Sequence, residues 1–442
     1  MQLSRLLYRL AQGTLRTLTP ILSPFLSGSS SKLARGLRGR RNAHEILAAW
    51  GRKHRREEVP LAWFHAPSVG EGLQARAVLE ALRRRHPELQ SVFTHFSPSA
   101  EALAARMPAD MAAYLPWDLV GPSRVALDAL RPDVLAFTKT EVWPVLVEQA
   151  VARGIPSALV AATVPPGAGR LSPRARRFLA PTWARLTLAA AIAEEDAARL
   201  AELGVPEGAI RVTGDPGIDS AAQRARVADP AEPWLAPFHA DPRPTVVAGS
   251  TWPPDEEVLL PAMDRVRGEV AEIRLVVAPH EPHEDHVAGL VEDLRRRGWA
   301  VGTLAEAERG GVSGLDAVVV DRVGVLAHLY TVGMAAYVGG GFGDDGLHSV
   351  LEPAAAGLPV TFGPRHGNAR AASDLLEGEG GAEVDGSPEL ARVLLRWFTD
   401  PDARVYAGGR AFGYIDGHLG AAARTAALLD ELLHERRGSP ST

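Results

Sequence analysis

From residue 61 the chain alternates short, uninterrupted apolar runs with stretches whose apolar residues recur at helical spacing. The first series of runs is LAWFHA (61–66), SVFTHF (91–96), MAAYLP (111–116), DVLAFT (133–138), SALVAATV (157–164), LTLAAAIA (186–193) and IRVTG (210–214). Helix-patterned stretches such as GLQARAVLEALRRRHP (72–87) and EVWPVLVEQAVARGIP (141–156) lie between them. A strand that is apolar on both faces is buried on both faces, so this alternation predicts parallel sheets covered by helices on either side.

The alternation pauses at residues 215–243, DPGIDSAAQRARVADPAEPWLAPFHADPR, a segment rich in Pro, Ala and Asp with no strand pattern. It then resumes with PTVVAGS (244–250), IRLVVAPH (273–280), DAVVVD (316–321), AAYVGG (335–340), PVTFG (359–363) and GAEVD (381–385), followed by a mostly helical tail. The expected organisation is α/β: two tandem doubly wound, Rossmann-like domains at 57–214 and 244–442, with 215–243 as linker. In such sheets ligands bind beyond the carboxyl ends of the strands, so the cleft-facing loops after the strands are where chemistry is sought.

Charge sets residues 1–56 apart. They carry twelve Lys/Arg against one acid, Glu45, a net +11, which leaves −16 on the remainder of a chain whose formal charge is −5. Leu3, Leu6, Leu7 and Leu10 recur at helical spacing with Arg5, Arg9 and Arg16 between and after them, the pattern of a basic amphipathic leader. The expectation is a leader that faces an anionic membrane surface, with a helix packed on its own domain as the alternative. Arginines and prolines interrupt its apolar residues before a run of about 18 is reached, so it does not read as a membrane span. The acidic remainder disfavours a nucleic-acid partner. With no cysteine in the chain there is no disulfide framework, no thiolate nucleophile and no Cys-ligated metal.

Five loops offer candidate chemistry. After the first strand, His65-Ala66-Pro67-Ser68-Val69-Gly70-Glu71-Gly72 sets a carboxylate on a strand-to-helix turn, suited to a general base, or to a first-turn acid with Ser68 as cap. After the fourth, Lys139 and Glu141 could hold the Glu71 loop or position an acceptor, or serve as surface charge and cap. In the second domain Gly249, Ser250 and Thr251 form a small-residue turn of the phosphate-binding kind. The loop Ala278-Pro279-His280-Glu281-Pro282-His283-Glu284-Asp285-His286 gathers histidines and acids, but Pro282 interrupts it, so His280 reads as a nucleotide contact rather than a metal ligand. The richest segment, Tyr337 to Pro353, carries Gly339, Gly340 and Gly341 and then His348, Ser349 and Glu352. A helix beginning near His348 would offer amides to a phosphate and Glu352 to ribose hydroxyls, with Arg365 as a nearby cation.

Taken in order, S-x-G-E, E-x-W-P, G-S-T, P-H, V-G-G-G and H-x-x-L-E-P followed by G-P resemble the family of 3-deoxy-D-manno-octulosonic acid (Kdo) transferases, GT-B glycosyltransferases of lipopolysaccharide inner-core synthesis, from about Leu61 to Ala382. The resemblance implies that Glu71 deprotonates an acceptor hydroxyl, which attacks CMP-Kdo with inversion in a site without metal or cofactor, the acceptor being a lipid A precursor of the lipid IVA type. It puts Ser68, Gly70, Lys139 and Glu141 on the acceptor side, and Gly249, Ser250, Thr251, His280, Gly339, Gly340, Gly341, His348, Ser349, Glu352 and Arg365 on the donor side. It also implies peripheral or N-terminally anchored placement on the cytoplasmic face of the bacterial inner membrane. The chain departs from the family pattern at Lys139, where an acid is common, at Ala278 and Glu281, where P-R-H-P is common, and at Ser349-Val350. The other readings carried forward are a different GT-B enzyme, such as a nucleotide-sugar epimerase or UDP-sugar transferase, and a non-enzymatic binding protein.

Overall fold

The computed structural model describes residues 8, 12–14 and 32–438. The chain divides into two units, Met1–Ser220 with Gly420–Thr442, and Ala221–Leu419. The first unit holds seven strands: β1 Leu61–His65, β2 Gln90–His95, β3 Met111–Tyr114, β4 Val134–Thr138, β5 Ser157–Ala162, β6 Leu188–Ala191 and β7 Ile210–Val212. They form one parallel sheet in the order β3-β2-β1-β4-β5-β6-β7. The order reverses between β1 and β4, so the loops after these two strands flank the position where a doubly wound sheet opens for a ligand.

The second unit repeats the plan with β8 Thr245–Thr251, β9 Arg274–Pro279, β10 Val301–Thr303, β11 Ala317–Val319, β12 Ala335–Val338, β13 Val360–Phe362 and β14 Gly381–Glu383. Its parallel order is β10-β11-β9-β8-β12-β13-β14, which reverses between β8 and β12. The two-domain α/β expectation is met, and strand β10 is the one the apolar runs do not reveal.

Strand periodicity builds two cores in each unit. In β1, Leu61 and Trp63 pack into one layer while Ala62 and Phe64 pack into the opposite one. In β8, Val246 and Ala248 face one layer and Val247 the other. This two-sided burial is why the strands read as continuous apolar runs.

The terminal helix Ala421–Gly438 departs from the expected assignment to the second domain. It belongs to the first unit, where Ala422, Ala426, Leu429, Leu432 and Leu433 join the core layer formed by the helix Val69–Arg85. Burying each of those leucines contributes roughly 1.5–3 kcal/mol, ample reason for the helix to settle there. Asp219 caps its start, accepting from Gly420 N at 2.8 Å and Ala422 N at 2.9 Å. The segment read as a linker contains the helices Pro216–Arg226 and Ala236–Ala240, and the unit boundary falls inside the first of them.

The expected amphipathic leader over residues 1–26 lies outside the described residues, apart from residues 8 and 12–14. Residues 32–56 are not a free basic leader. Lys32–Arg41 and Ala43–His54 are helices, and Leu47 is buried in the first unit's core. Arg40 is buried; it donates to the carbonyls of Leu115 and Pro116 at 3.2 Å and lies over the rings of Phe96, Trp117 and Trp143. Arg55 donates to Asp133 at 3.2 Å and to Leu130 O at 2.9 Å. No helix among the described residues is long and apolar enough to cross a membrane.

Candidate functional site

Glu71 is the third residue of the helix Val69–Arg85, in the first turn beyond β1. Ser68 occupies the N-cap position, but its side chain makes no capping bond. The helix dipole favours the carboxylate there. Lys139, in the loop after β4, reaches it at 3.2 Å from Oε1. Glu71 Oε2 is buried and has no hydrogen-bond partner in the chain. A buried carboxylate oxygen left open is costly, and such orphans concentrate where a function uses them. Gly70 adds room beside it, since a Cβ there would meet nothing within 4 Å.

The backbone of Lys139 is unusual for a lysine. Its φ is 56°, in the left-handed region, while its N–H is held by Val160 O at 2.9 Å. Such a conformation costs on the order of 1 kcal/mol and is retained where the surroundings impose it. Lys139 therefore holds the Glu71 loop, one of the roles the sequence allowed. Glu141 turns elsewhere: Arg170 donates to it at 2.8 Å and to Thr140 Oγ1 at 2.7 Å. Glu141 does not open a helix, because that helix starts at Pro144.

Two buried groups lock these loops. His65, at the end of β1, is fully buried and bonds Thr94 O through Nδ1 at 3.0 Å. Trp143 Nε1 donates to His65 Nε2 at 3.1 Å, which fixes the proton on Nδ1. Burial pushes the imidazole pKa down to about 3, so it stays neutral. The bond ties the E-x-W-P turn to the strand that presents Glu71. Gln74, one turn beyond Glu71, donates at 2.8 Å to Asp215, which also accepts from Gly217 N at 2.7 Å. Burial raises the Asp215 pKa against the opposing effects of those bonds and of Lys139. Sequence reasoning missed Asp215 and Gln74; the D-P-G-I-D start of a helix was the available signal.

In the second unit the loops after β8 and β12 meet through backbone and side chains. Asp255 accepts from Gly340 N at 2.8 Å, Trp252 N at 2.9 Å and Tyr337 OH at 2.9 Å. Trp252, His280 and His348 form a ring stack, with centroids 4.8 Å apart for the first pair and 4.1 Å for the second. Trp252 Nε1 donates to His348 Nε2 at 3.1 Å, so that nitrogen carries no proton. Burial, followed by the neighbouring His280, lowers the His348 pKa to about 4. Glu352, in the short helix Leu351–Ala355, is paired with Arg224 from Pro216–Arg226. The structure thus brings His280, His348 and the Gly339–Gly340 turn together and adds Trp252, Asp255 and Arg224, which the sequence reading did not single out.

Several donor-side expectations change. The Thr251 side chain is buried and spends its hydroxyl proton on Glu256 at 2.9 Å. Ser250 sits at a β-bulge with φ 55°. The glycines serve close packing: a Cβ on Gly339 would stand 2.3 Å from Ser250 O, and one on Gly340, at φ 93°, 2.1 Å from Gly346 O. Nor does a helix start at His348. The amides of Gly339, Gly340, Leu347, His348 and Leu351 already donate to Gly249 O, Asp255, Asn368, Gly339 O and Ser349 Oγ. Those amides are therefore not a free phosphate cradle. Arg365 is exposed and tied to Asp344 and Gly343 O in the loop after β12. The histidine-rich loop disperses: His280 joins the stack, His283 meets Glu281 at 3.1 Å, and His286 meets Glu256 at 3.0 Å.

Known proteins resemble this chain in sequence and in fold. Residues 41–220 match the family model described as "3-Deoxy-D-manno-octulosonic-acid transferase (kdotransferase)". A 3-deoxy-D-manno-octulosonic acid transferase of Bordetella pertussis is 29% identical over 410 residues, covering 87% of this chain and 91% of the relative. One from Haemophilus influenzae is 25% identical over 377 residues, covering 84% and 87%. Among solved structures, a UDP-N-acetylglucosamine 2-epimerase matches with TM-score 0.60 at 15% identity over 87% of this chain and 98% of that one. The Neisseria meningitidis UDP-GlcNAc 2-epimerase bound to UDP-GlcNAc matches with TM-score 0.57 at 14% identity, covering 85% and 99%. At such identity the structural likeness speaks for the GT-B-like fold alone. The ordered motifs, the match over residues 41–220 and the relatives that cover most of the chain together make it similar to the 3-deoxy-D-manno-octulosonic acid (Kdo) transferases, which are glycosyltransferases.

Proposed function

We propose that this chain transfers Kdo from CMP-Kdo to a hydroxyl of a lipid A precursor, with inversion at the anomeric carbon. The observation that carries the reading is Glu71, whose Oε1 is paired with Lys139 while Oε2 is buried and open. A carboxylate so held accepts the acceptor's hydroxyl proton as the oxygen attacks the sugar, and CMP leaves. Lys139 holds the base and keeps it aimed. The second unit takes the donor through side chains: the Trp252–His280–His348 stack offers flat faces, and Glu352, steadied by Arg224, accepts from ribose hydroxyls. Since His348 is neutral and the nearby amides are engaged, the donor phosphate depends on side-chain donors such as Ser250 and His280.

The test is incubation of purified protein with CMP-Kdo and a tetra-acylated, bisphosphorylated lipid acceptor, with CMP release assayed and products weighed by mass spectrometry. The reading expects CMP only when both substrates are present. It also expects Glu71→Gln to slow transfer by about 10²–10⁴-fold while leaving CMP binding intact. Near-normal turnover by that variant removes Glu71 as base, and epimerisation of a UDP-sugar defeats the donor assignment.

The same proposal seats the protein peripherally on an anionic membrane surface, the cytoplasmic face of the inner membrane, where such an acceptor resides. The support is the +11 carried by residues 1–56. Binding to vesicles containing anionic lipid that weakens with added salt is the expected behaviour; equal binding to neutral vesicles opposes it.

A further inference from the structure

We propose that His86, Asp430 and His434 form a binding site for a divalent transition-metal ion, on the first unit and outside the loops that follow its strands. Asp430 and His434 stand four residues apart on the helix Ala421–Gly438, so their side chains share one face. His86 is the C-cap residue of Val69–Arg85, the helix against which Ala421–Gly438 packs. His86 Nε2 lies 2.5 Å from Asp430 Oδ1, and His434 Nδ1 lies 2.9 Å from the same oxygen. The three ligand atoms are within 4.8 Å of one another, the one such convergence among the described residues. Ligands bound at about 2.0–2.2 Å in a tetrahedral shell stand about 3.4 Å apart, so an ion enters once the shortest pair opens by roughly 0.9 Å and the widest draws in by up to about 1.4 Å.

The surroundings suit this use. Arg85 Nε holds Asp430 by its other oxygen, Oδ2, at 2.8 Å, which orients the carboxylate and leaves Oδ1 to the imidazoles. Glu88 Oε1 stands 3.8 Å from His86 Nδ1, an outer partner for the nitrogen that does not bind the ion. Two imidazoles and one carboxylate, without thiolate, favour Zn²⁺ or Co²⁺ over Mg²⁺ or Ca²⁺, which take oxygen ligands. His434 is exposed, so the ion has an entry path and room for water in a fourth position. Binding replaces the direct contacts of Asp430 with the imidazoles by a single cation, and it staples the terminal helix to the far end of the helix that begins beside Glu71.

The experiment uses the full chain without any histidine tag, stripped with chelator and titrated with Zn²⁺ by equilibrium dialysis and calorimetry, with Co²⁺ as a visible-absorption probe. One Zn²⁺ per chain at micromolar concentration is expected, with a rise in melting temperature reversed by chelator. His434→Ala, at an exposed position, and His86→Asn are each expected to weaken binding by about tenfold or more without changing the circular dichroism spectrum. No bound Zn²⁺ at submillimolar concentration overturns the proposal and leaves a hydrogen-bonded His-Asp-His clasp. Binding unchanged in both variants places the ion elsewhere and overturns it equally. Neither readout depends on transferase activity.

Discussion

Replacing His65 by Asn removes a buried titratable group from between the two acceptor-side turns while keeping a side chain that can donate and accept. In the native protein the imidazole is fully enclosed, gives its Nδ1 proton to Thr94 O and receives Trp143 Nε1. Its folded-state pKa of about 3 lies below the ordinary value of 6.5. As pH falls, the unfolded chain therefore binds a proton at this position before the folded one does. The stability contributed by the neutral imidazole is complete above about pH 6.5 and is lost progressively towards pH 3, at about 1.4 kcal/mol per pH unit. Between about pH 6.5 and pH 4.5 the native protein should lose about 2.3 kcal/mol more than His65→Asn. Because the comparison is of slopes, any fixed cost of the Asn side chain cancels. Hydrogen exchange of the β1 and β4 amides at the two pH values reports the opening free energy of the first unit directly. The His65 ring carbon signal, assigned by its absence from the variant, should stay flat over the same range. Parallel pH dependences for the two proteins, or a His65 titration near pH 6, would refute the argument.

Three further outcomes follow from the contacts. Arg224→Ala leaves Glu352 without its cation and should weaken CMP binding by about tenfold in calorimetry, with the melting transition of the second unit nearly unchanged; unaltered affinity would separate Glu352 from donor recognition. Gly340→Ala drives a methyl to within 2.1 Å of Gly346 O at a backbone φ of 93°, and should cost at least about 2 kcal/mol of stability, read as a lowered urea midpoint. Replacing the exposed Leu33 and Ile46 together by Ser should reduce recovery on anionic vesicles with no loss of CMP release from a detergent-dispersed acceptor; retained vesicle binding would confine the membrane contact to residues before 32.

Much of this fold is legible in local pattern because both faces of each sheet are buried. Strands such as β4 and β9 are buried throughout and mostly apolar, and neighbouring helices supply the alternation that marks a doubly wound sheet. β10 escapes because it is three residues long and centred on Gly302. The destination of Ala421–Gly438 escapes for a different reason: an amphipathic helix specifies that it needs an apolar partner, not which one. At the site, residue type pointed to Glu71, Lys139, His280 and His348 because polar residues in the loops that end the strands are few. Direction was not legible. Thr251, Gly340 and the amides around His348 belong to loops that look suited to a phosphate, yet their polar groups are consumed by Glu256, Asp255 and Gly339 O. Only the three-dimensional bond partners distinguish a glycine that admits a ligand from one that admits a neighbouring loop.

The same distinction reshapes the charge asymmetry. Twelve basic residues precede residue 57, but they are not equivalent in what they can offer a membrane. Arg40 is buried against carbonyls and aromatic rings, Arg55 is spent on Asp133, and Arg35 is paired with Glu101. Arg38, Arg41, Arg52 and Lys53 stay exposed, and so do Leu33 and Ile46 on the same two helices. An anionic surface therefore meets less than the formal +11, but it also meets apolar side chains beside the cations, and that combination holds a protein at the headgroup layer more firmly than charge alone. Added salt would weaken the electrostatic part and leave the apolar part, so the residual binding at high ionic strength measures how far the folded helices, rather than the basic residues before them, make the contact.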